Sequence, residues 1–333
     1  MFDINENTID LAEAFFPVER RPVFVAPAYP RNNPIPIPRH SAIVDVENDH
    51  VFAVVTDAYR LVTNMEAVEL AAQIMERVFG LVKLGDMRCF NITMPKSRSF
   101  CHIDLVHAQG AFTPWESDRW SPFLRVTNSY NRTKKLRFEL GFCRWICRNG
   151  MIFGAKSVEI SDTHSHAGVD RIRFDQITGN LGSIHALEAQ FVSHLHNLKR
   201  YHVPPSVMPA LFCKAFGIKV PAEAMMMPRQ RENLLSMARK LDNSTWEYFD
   251  TMGHHAYAAL NVLTDFASRP VGVISAATSM HGYQVQSARW MEDFLKQIAS
   301  TSFDFDSYLG DWKQQGHNLM ALIPPAEATF MGD

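Results

Sequence analysis

Short runs of apolar residues alternate with polar residues between positions 41 and 175. The first two runs are separated by Glu47-Asn48-Asp49, and a polar break of this length predicts a β-hairpin. From Met65 the apolar spacing becomes helical and stops at Gly80, which predicts a helix. Further β-like runs follow it, so the chain is expected to open β-β-α and to continue as an antiparallel, strand-rich sheet domain.

Beyond residue 175 the apolar spacing is mostly helical, and the first long helical segment stops at Pro204-Pro205. Residues 1–40 differ from both regions because five prolines crowd Pro27–Pro38, which predicts an extended arm. The pattern therefore predicts an α+β protein in three parts. These are an N-terminal arm with a proline-rich linker (1–40), a sheet-rich domain (41–175) and a helical region packed on or beside it (176–333).

Composition narrows the class of protein. The chain has 333 residues, of which 47% are apolar, and this is enough for a large core. Its apolar runs are short and interrupted by charge, and its start lacks a basic segment followed by an apolar one. Five cysteines, an odd number, do not predict a disulfide framework. We expect a cytoplasmic protein with no membrane partner.

The charge is unevenly distributed, although the net charge is only −2. Residues 119–240 hold nineteen Lys and Arg against eight Asp and Glu, and the flanking regions are acidic. A basic middle is typical of a surface for nucleic acid or nucleotides, because cations replace the counterions of phosphates. The alternative is a mixed surface whose acidic ends aid solubility.

The segment RFELGFCRWICRNGM raises the question of a zinc site. Cys143 and Cys147 could join His164 and His166. On a strand, however, two residues four positions apart lie about 13 Å apart, too far to share one metal ion. Buried thiols are therefore expected, with no cofactor and no metal.

Carboxylates leave a second metal hypothesis open. Asp104, Asp118, Asp162 and His164 could converge on Mg²⁺ or Mn²⁺, as a metal-dependent nuclease requires. The spacing alone does not decide whether Asp104, Asp162, His164 and His166 form such a site. Phosphate-binding glycine loops of the ATPase and dinucleotide types do not occur in the sequence.

A basic and aromatic run predicts a nucleic-acid surface. If residues 132–145 form one strand, Arg132 and Lys134 lie on one face and Lys135 on the other, together with Arg137 and Trp145. Cations that hold phosphates beside rings that stack on bases suit single-stranded nucleic acid. The predicted binding residues are Tyr130, Arg132, Lys134, Lys135, Arg137, Arg144, Trp145 and Arg148. The alternative is a buried Trp145 and lysines along a solvated sheet edge.

Two polar motifs flank this run. Asn128 and Ser129, followed by Tyr130, are expected in a loop that either contacts a ligand or holds itself by local hydrogen bonds. Asn149-Gly150 is expected in the turn after the strand, because this pair tolerates positive φ. Arg144 is expected on the face opposite Trp145, in a buried or interface ion pair.

Three segments resemble the family labelled domain of unknown function 932, over roughly residues 41–299. The first has the pattern V-(S/T)-D-x-Y-x-(V/P)-x-N-x-E, the second joins NSY(D/N)G-x-x-x-L to R-x-x-C-x-NG, and the weaker third is STWEYFDTMGHHA. The matching residues of the first two are Val55, Thr56, Asp57, Tyr59, Val62, Asn64, Glu66, Asn128, Ser129, Tyr130, Leu136, Arg144, Cys147, Asn149 and Gly150. The resemblance implies a genetic setting on phages, plasmids and integrated elements, near DNA-processing and anti-restriction genes.

These observations together predict a mobile-element protein of DNA metabolism. It is expected to bind nucleic acid, with single-stranded DNA preferred, as a homo-oligomer that could anneal strands, and without catalysis. One alternative is a counter-defence protein that binds a host protein or sequesters a nucleotide signal. The second alternative is the metal-dependent nuclease.

Overall fold

The computed structural model describes residues 8–28, 33–79, 87–107, 110–116, 118–145, 149–152, 159–174 and 184–324. The chain opens with a three-stranded antiparallel sheet in the order β1-β2-β3. Its strands are β1 (Val18–Val25), β2 (Ile35–Asp45) and β3 (His50–Thr56). The predicted hairpin is the pair β2 and β3, and β1 is an additional strand inside the predicted arm.

Two prolines of the predicted linker belong to β2. Pro36 pairs with Phe24 of β1, whereas the pairing of β2 with β3 begins only at His40. Residues 35–38 therefore have a strand on one side only, and this is the position where a residue without a backbone N–H is tolerated. The proline-rich segment is extended, as expected, but part of it is built into a sheet.

The second sheet has seven strands in the order β10-β8-β7-β5-β4, with β6 paired to β7 and β9 paired to β8. The strands are β4 (Met87–Thr93), β5 (Phe100–His107), β6 (Phe112–Trp115), β7 (Asp118–Ser129), β8 (Leu136–Arg144), β9 (Gly150–Ile152) and β10 (Glu159–Asp162). The pairings of β4 with β5, β5 with β7 and β8 with β10 are antiparallel. The predicted antiparallel sheet is confirmed.

Helices dominate the chain after residue 184, which confirms the predicted α+β class. The helices are α1 (Asn64–Phe79), α2 (His166–Phe174), α3 (Ile184–Arg200), α4 (Met208–Phe216), α5 (Pro228–Met252), α6 (Ala256–Ser268), α7 (Ala276–Ile298), α8 (Phe305–Leu309) and α9 (Trp312–Met320). Within the described residues, none of these helices combines the length and the apolar character that crossing a membrane would need.

Local side-chain contacts explain why α1 begins where it does. The Thr63 hydroxyl accepts a hydrogen bond from the Glu66 N–H at 3.1 Å, so a threonine caps the first turn. Glu66 also places an acidic side chain in that turn, where the helix dipole favours negative charge. The sequence signal for this helix is therefore both its apolar spacing and its cap.

The chain divides into two compact units, and each is built from three separate segments. The first unit is Met1–Ala111, Ser121–Gly141 and Ala155–Ile184. The second is Phe112–Trp120, Phe142–Gly154 and His185–Asp333. Strands β7 and β8 each contribute residues to both units. The compact units thus differ from a division by secondary structure at residues 40 and 175.

Each unit has its own apolar core. In the first, the inward residues of the sheet pack with α1; they alternate along the strands, as Cys101, Ile103 and Leu105 do in β5. In the second, the core is made mainly by helices α3 to α9, with Trp120 and Phe142 from the strands. The functional site described next lies entirely in the first unit.

Candidate functional site

A cavity of about 370 Å³ lies in the first unit, at the point where β7 has ended and β8 has not yet begun. Three segments of the chain line it. The lining residues are Thr56, Ala58, Tyr59, Arg132, Thr133, Lys134, Lys135, Thr163, His164 and Ser165. Three of the eight predicted binding residues therefore meet in one concave site.

One wall of the cavity is formed by two backbone segments that pair with each other. Tyr59 and Ser165 form an antiparallel bridge, and the Arg60 N–H donates to the His164 carbonyl oxygen at 3.0 Å. The Arg20 guanidinium donates to the carbonyl oxygens of Thr56 and Tyr59 at 2.9 and 2.8 Å. These bonds fix the wall before any ligand arrives.

The cavity is also lined by Arg132–Lys135 from the loop between β7 and β8, here called the basic loop (residues 130–135). Asn131 organises it, because its side-chain oxygen accepts hydrogen bonds from the Thr133 N–H at 3.1 Å and from the Ser129 hydroxyl at 2.9 Å. The Lys134 N–H donates to the same Ser129 hydroxyl at 3.4 Å. Such bonds between a short polar side chain and nearby backbone are typical of tight turns.

The basic loop corrects the predicted strand alternation. Arg132 has φ of 64°, a left-handed conformation that does not occur inside a regular strand. Because β8 begins only at Leu136, Lys134 and Lys135 do not point to opposite sheet faces. Both line the same cavity together with Arg132.

The three cations of the cavity lack close acidic partners in the described segments of the chain. Among the residues that the structure describes, no ion pair involves Arg132, Lys134 or Lys135. Partial burial and the neighbouring Arg137 lower the pKa of Lys134. Its ammonium also lies 4.7 Å from the centroid of the Phe100 ring. A bound anion would relieve this concentration of positive charge.

His164 is the least exposed polar residue of the cavity, at 8%. Its ring stacks on Tyr59 with centroids 5.5 Å apart, and within the described part of the chain neither ring nitrogen has a hydrogen-bond partner. Burial lowers its pKa to about 4, so the ring is neutral at pH 7. A neutral imidazole has one donor and one acceptor nitrogen, and buried polar atoms normally have partners.

The start of α2 adjoins the same cavity. Thr163, His164 and Ser165 immediately precede this helix, and the Ser165 hydroxyl accepts a hydrogen bond from the Gly168 N–H at 3.0 Å. A helix N-terminus carries partial positive charge and attracts anions. The cavity thus combines a helix start, hydroxyl groups and three cations.

Other predicted residues of the first unit hold the fold instead of lining the cavity. Tyr130 is 1% exposed; its ring stacks on Phe52 and its hydroxyl oxygen accepts from the Asn64 N–H at 2.9 Å. The Asn128 amide donates to the Asn64 side-chain oxygen at 2.9 Å. Because Tyr130 is enclosed by these contacts, its ring has no free face on which a base could stack.

Asn128 and Ser129 are the last residues of β7 and do not form the predicted loop. The loop begins after them, and Ser129 holds it through the two hydrogen bonds of its hydroxyl. Arg137 lies in β8, partly exposed, with its guanidinium 3.6 Å from the Glu139 carboxylate. None of these residues lines the cavity, and Ser129 alone among them is hydrogen-bonded to the basic loop in the described part of the chain.

The predicted residues of the second unit that the structure describes are enclosed. Arg144 is 7% exposed and donates to the Asp118 carboxylate at 2.6 Å, which is the ion pair expected for it. Trp145 is 4% exposed, and the Arg119 guanidinium lies 3.8 Å above its ring. The predicted stacking role of Trp145 therefore lacks an open ring face, because a cation already covers it.

Asn149 and Gly150 belong to the same enclosed region. The Asn149 amide donates to the Tyr248 hydroxyl at 3.1 Å, and the Gly150 N–H donates to the Ser268 hydroxyl at 3.0 Å. Gly150 is the first residue of β9. Arg148 and Cys147 lie outside the described residues.

The carboxylates considered for a metal site have other contacts. Asp104 accepts two hydrogen bonds from Arg125, each at 2.6 Å, and both residues are buried. Asp162 accepts from the Thr163 N–H at 2.6 Å. Within the described part of the chain, no three His, Cys, Asp or Glu side chains are grouped as metal ligands would be.

The contacts also explain the sequence motifs. Asn64 comes from the first motif and is hydrogen-bonded to two residues of the second, Asn128 and Tyr130. A family model described as Domain of unknown function (DUF932) matches residues 51–297, which is well over half of the chain. The chain belongs to this family. The resemblance seen in the sequence is confirmed, and no curated protein and no solved structure matches the chain.

Sequence reasoning missed much of the cavity wall. The sequence indicates Thr56 and Tyr59 only as motif residues of the family, and His164 only as a possible metal ligand. Thr163 and Ser165 carried a local signal, because a polar run directly before a helix is typical of a capped helix start. That signal places a helix N-terminus near His164 but does not reveal the basic loop beside it.

Proposed function

We propose that this DUF932 protein binds nucleic acid, preferably single-stranded DNA, through the cavity of the first unit and its basic loop. The observation that carries the proposal is the meeting of Arg132, Lys134 and Lys135 in one cavity without acidic partners among the described residues. Unpaired cations that converge on one site favour phosphate groups. The mobile-element setting rests on the family resemblance alone.

The geometry changes the mechanism from the one expected from the sequence. Tyr130 and Trp145 are enclosed, so stacking on these rings is not part of the proposal. Binding would come from phosphate contacts, which carry little sequence preference. The two lysines supply mobile point charges, and Arg132 supplies a planar group that can donate two parallel hydrogen bonds to a phosphate.

Salt dependence gives the proposal a quantitative form. Each phosphate contact on a single strand contributes a slope of about −0.7 to the logarithm of the affinity against the logarithm of the salt concentration. Three contacts predict a slope of about −2. The double variant Lys134→Ala/Lys135→Ala keeps one of these contacts, so its slope should be less steep, at about −0.7. The affinity at ~50 mM salt should fall at the same time.

The test is fluorescence anisotropy with a labelled single-stranded oligonucleotide over a salt series. Lys219→Ala/Lys296→Ala is the matched control, since it also removes two lysine charges, both from exposed positions of the second unit. The proposal fails if the double variant binds like the unaltered protein, or if the control variant is equally weakened. Strand annealing, a homo-oligomer and a host-protein partner stay predictions.

A further inference from the structure

We infer that the cavity is a specific site for a phosphate monoester of a nucleotide, held between the basic loop and the start of α2. The ligand could be the terminal phosphate of a strand or a free nucleotide, since both present the same chemical group. This inference rests on the proposed function and deepens it. It distinguishes a site for strand ends from a surface that contacts any phosphate along a strand.

Charge is the first argument for a monoester. An internal phosphodiester carries one negative charge, whereas a phosphate monoester carries about −1.5 to −2 at pH 7. Arg132, Lys134 and Lys135 all line one cavity of about 370 Å³, so their charge is concentrated on a single ligand group. A strand that only passes over the surface would be matched better by cations spaced along a groove.

The helix start is the second argument. α2 begins at His166 and is nine residues long, and the residues directly before it line the cavity. A phosphate in this position would meet the positive end of the helix and the hydroxyls of Thr163 and Ser165. A monoester has three terminal oxygens, so it can use the basic loop and the helix start together.

His164 is the third argument and is independent of the cations. It lines the cavity, more than nine-tenths of its surface is buried, and neither ring nitrogen has a hydrogen-bond partner among the residues that the structure describes. These nitrogens are shielded in the ligand-free cavity, so the inference includes a reorientation of the ring that lets one N–H donate to the phosphate. The ligand would then satisfy a buried donor that the protein leaves unsatisfied.

Size is the fourth argument. Pockets for small molecules enclose about 300–1,000 Å³, and this cavity lies near the lower limit. The volume of the cavity therefore suits one nucleotide and is too small for several consecutive nucleotides. The remaining nucleotides of a strand would lie outside the cavity.

The experiment compares two oligonucleotides of the same sequence, one with a 5′-phosphate and one with a 5′-hydroxyl, and adds a nucleoside 5′-monophosphate and its nucleoside as competitors. We expect the phosphorylated strand to bind about tenfold more tightly. The monophosphate should compete, and the nucleoside should not. Lys134→Ala/Lys135→Ala should abolish the difference between the two strands.

His164→Phe separates the inference from a general effect of charge. The phenyl ring can keep the stack on Tyr59 but has no nitrogen, so the fold should be retained while most of the roughly tenfold preference for the phosphorylated strand is lost. His164→Gln supplies an amide donor in a different shape and should restore part of the preference. Thermal unfolding of each variant verifies that it is folded.

The outcomes separate the two proposals. Equal binding of both strands, with both weakened in the double lysine variant, overturns the monoester site and leaves nucleic-acid binding standing. Binding of the free monophosphate without either strand supports the monoester site and overturns nucleic-acid binding. If none of these ligands binds, both proposals are wrong.

Discussion

The basic loop of the first unit and the region around Arg144 in the second unit carry the same kinds of residue but use them differently. Arg132, Lys134 and Lys135 line a cavity and have no acidic partner among the described residues. Arg144 is buried and paired with Asp118. A cation that lies near an aromatic residue in the sequence is thus either available to a ligand or already neutralised. Which of the two applies depends on whether an acidic side chain pairs with the cation in the folded protein.

Arg144 also shows how a buried cation is stabilised. Beyond its ion pair, its guanidinium donates to the Asn261 side-chain oxygen at 3.1 Å, and the Tyr257 hydroxyl donates to the same Asp118 carboxylate. Burial raises the pKa of Tyr257 well above its ordinary value, so this hydroxyl stays protonated as a donor. A network of this kind holds a core together and leaves no charge for an external anion.

The largest expected effect is on the stability of the second unit. Arg144→Ala should lower the free energy of unfolding by about 3–5 kcal/mol, because it leaves the buried Asp118 carboxylate without its cation. Lys135→Ala, at an exposed position, should change it by less than about 0.5 kcal/mol. Urea unfolding of both variants tests the comparison, and similar losses in the two would refute it.

A second large effect concerns pH and His164. Its pKa in the folded protein is about 4, below the ordinary 6.5, so its contribution to stability is complete above pH 6.5 and is lost as the pH falls towards 4. Between these values the unfolded chain takes up a proton that the folded protein does not. Between pH 6.5 and pH 4 this proton uptake lowers the free energy of unfolding by about 3 kcal/mol.

His164→Phe isolates this contribution, because the carboxylates that also titrate in this range are present in both proteins. Unfolding free energies of the two proteins should be compared at several pH values from 7.5 to 4. We expect the unaltered protein to lose about 3 kcal/mol more than the variant over this range. Parallel curves would show that His164 is not buried as a neutral ring.

Gly168 in α2 should give an intermediate effect. A Cβ atom there would lie 2.4 Å from the Thr163 carbonyl oxygen and 2.9 Å from an Asp162 carboxylate oxygen. Gly168→Ala should therefore displace the segment that lines the cavity, with a loss of about 1–3 kcal/mol and weaker oligonucleotide binding. Calorimetry and anisotropy measure the two effects.

The matched control is Gly282→Ala in α7, where nothing lies within 4 Å of the added atom. This change should stabilise the protein by about 0.5–1 kcal/mol, since alanine favours a helix over glycine. If both alanines are tolerated equally, the close approach at Gly168 does not shape the cavity.

The smallest expected effect separates strain from charge at Arg132. This residue has φ of 64°, which glycine adopts without strain and other residues adopt at a cost. Arg132→Gly should raise the free energy of unfolding by up to about 1 kcal/mol relative to Arg132→Ala, yet both should weaken oligonucleotide binding equally. Equal stability of the two variants would mean that the loop is not strained at Arg132.

Periodicity made the fold class predictable, whereas the site depends on contacts between distant residues. The helical spacing of α1 was visible because core burial repeats with the period of a helix, and β5 was visible as a short apolar run. The pairing of Arg144 with Asp118 was not visible, since 26 positions separate the two residues. The sequence predicts strand for the basic loop because the turn depends on an unusual φ at Arg132, a residue type that gives no turn signal.

Strands β7 and β8 each belong to both compact units, and this affects proteolysis and synthesis of the protein. Because the chain enters and leaves each compact unit more than once, no single cleavage releases either unit intact. During synthesis, the first unit has all of its segments only after residue 184 has left the ribosome. At that stage most of the second unit, with which segment Phe112–Trp120 packs, has not yet been made. Truncation at a residue between 111 and 184 should therefore yield an insoluble fragment, and the full chain is the smallest piece suited to the experiments above.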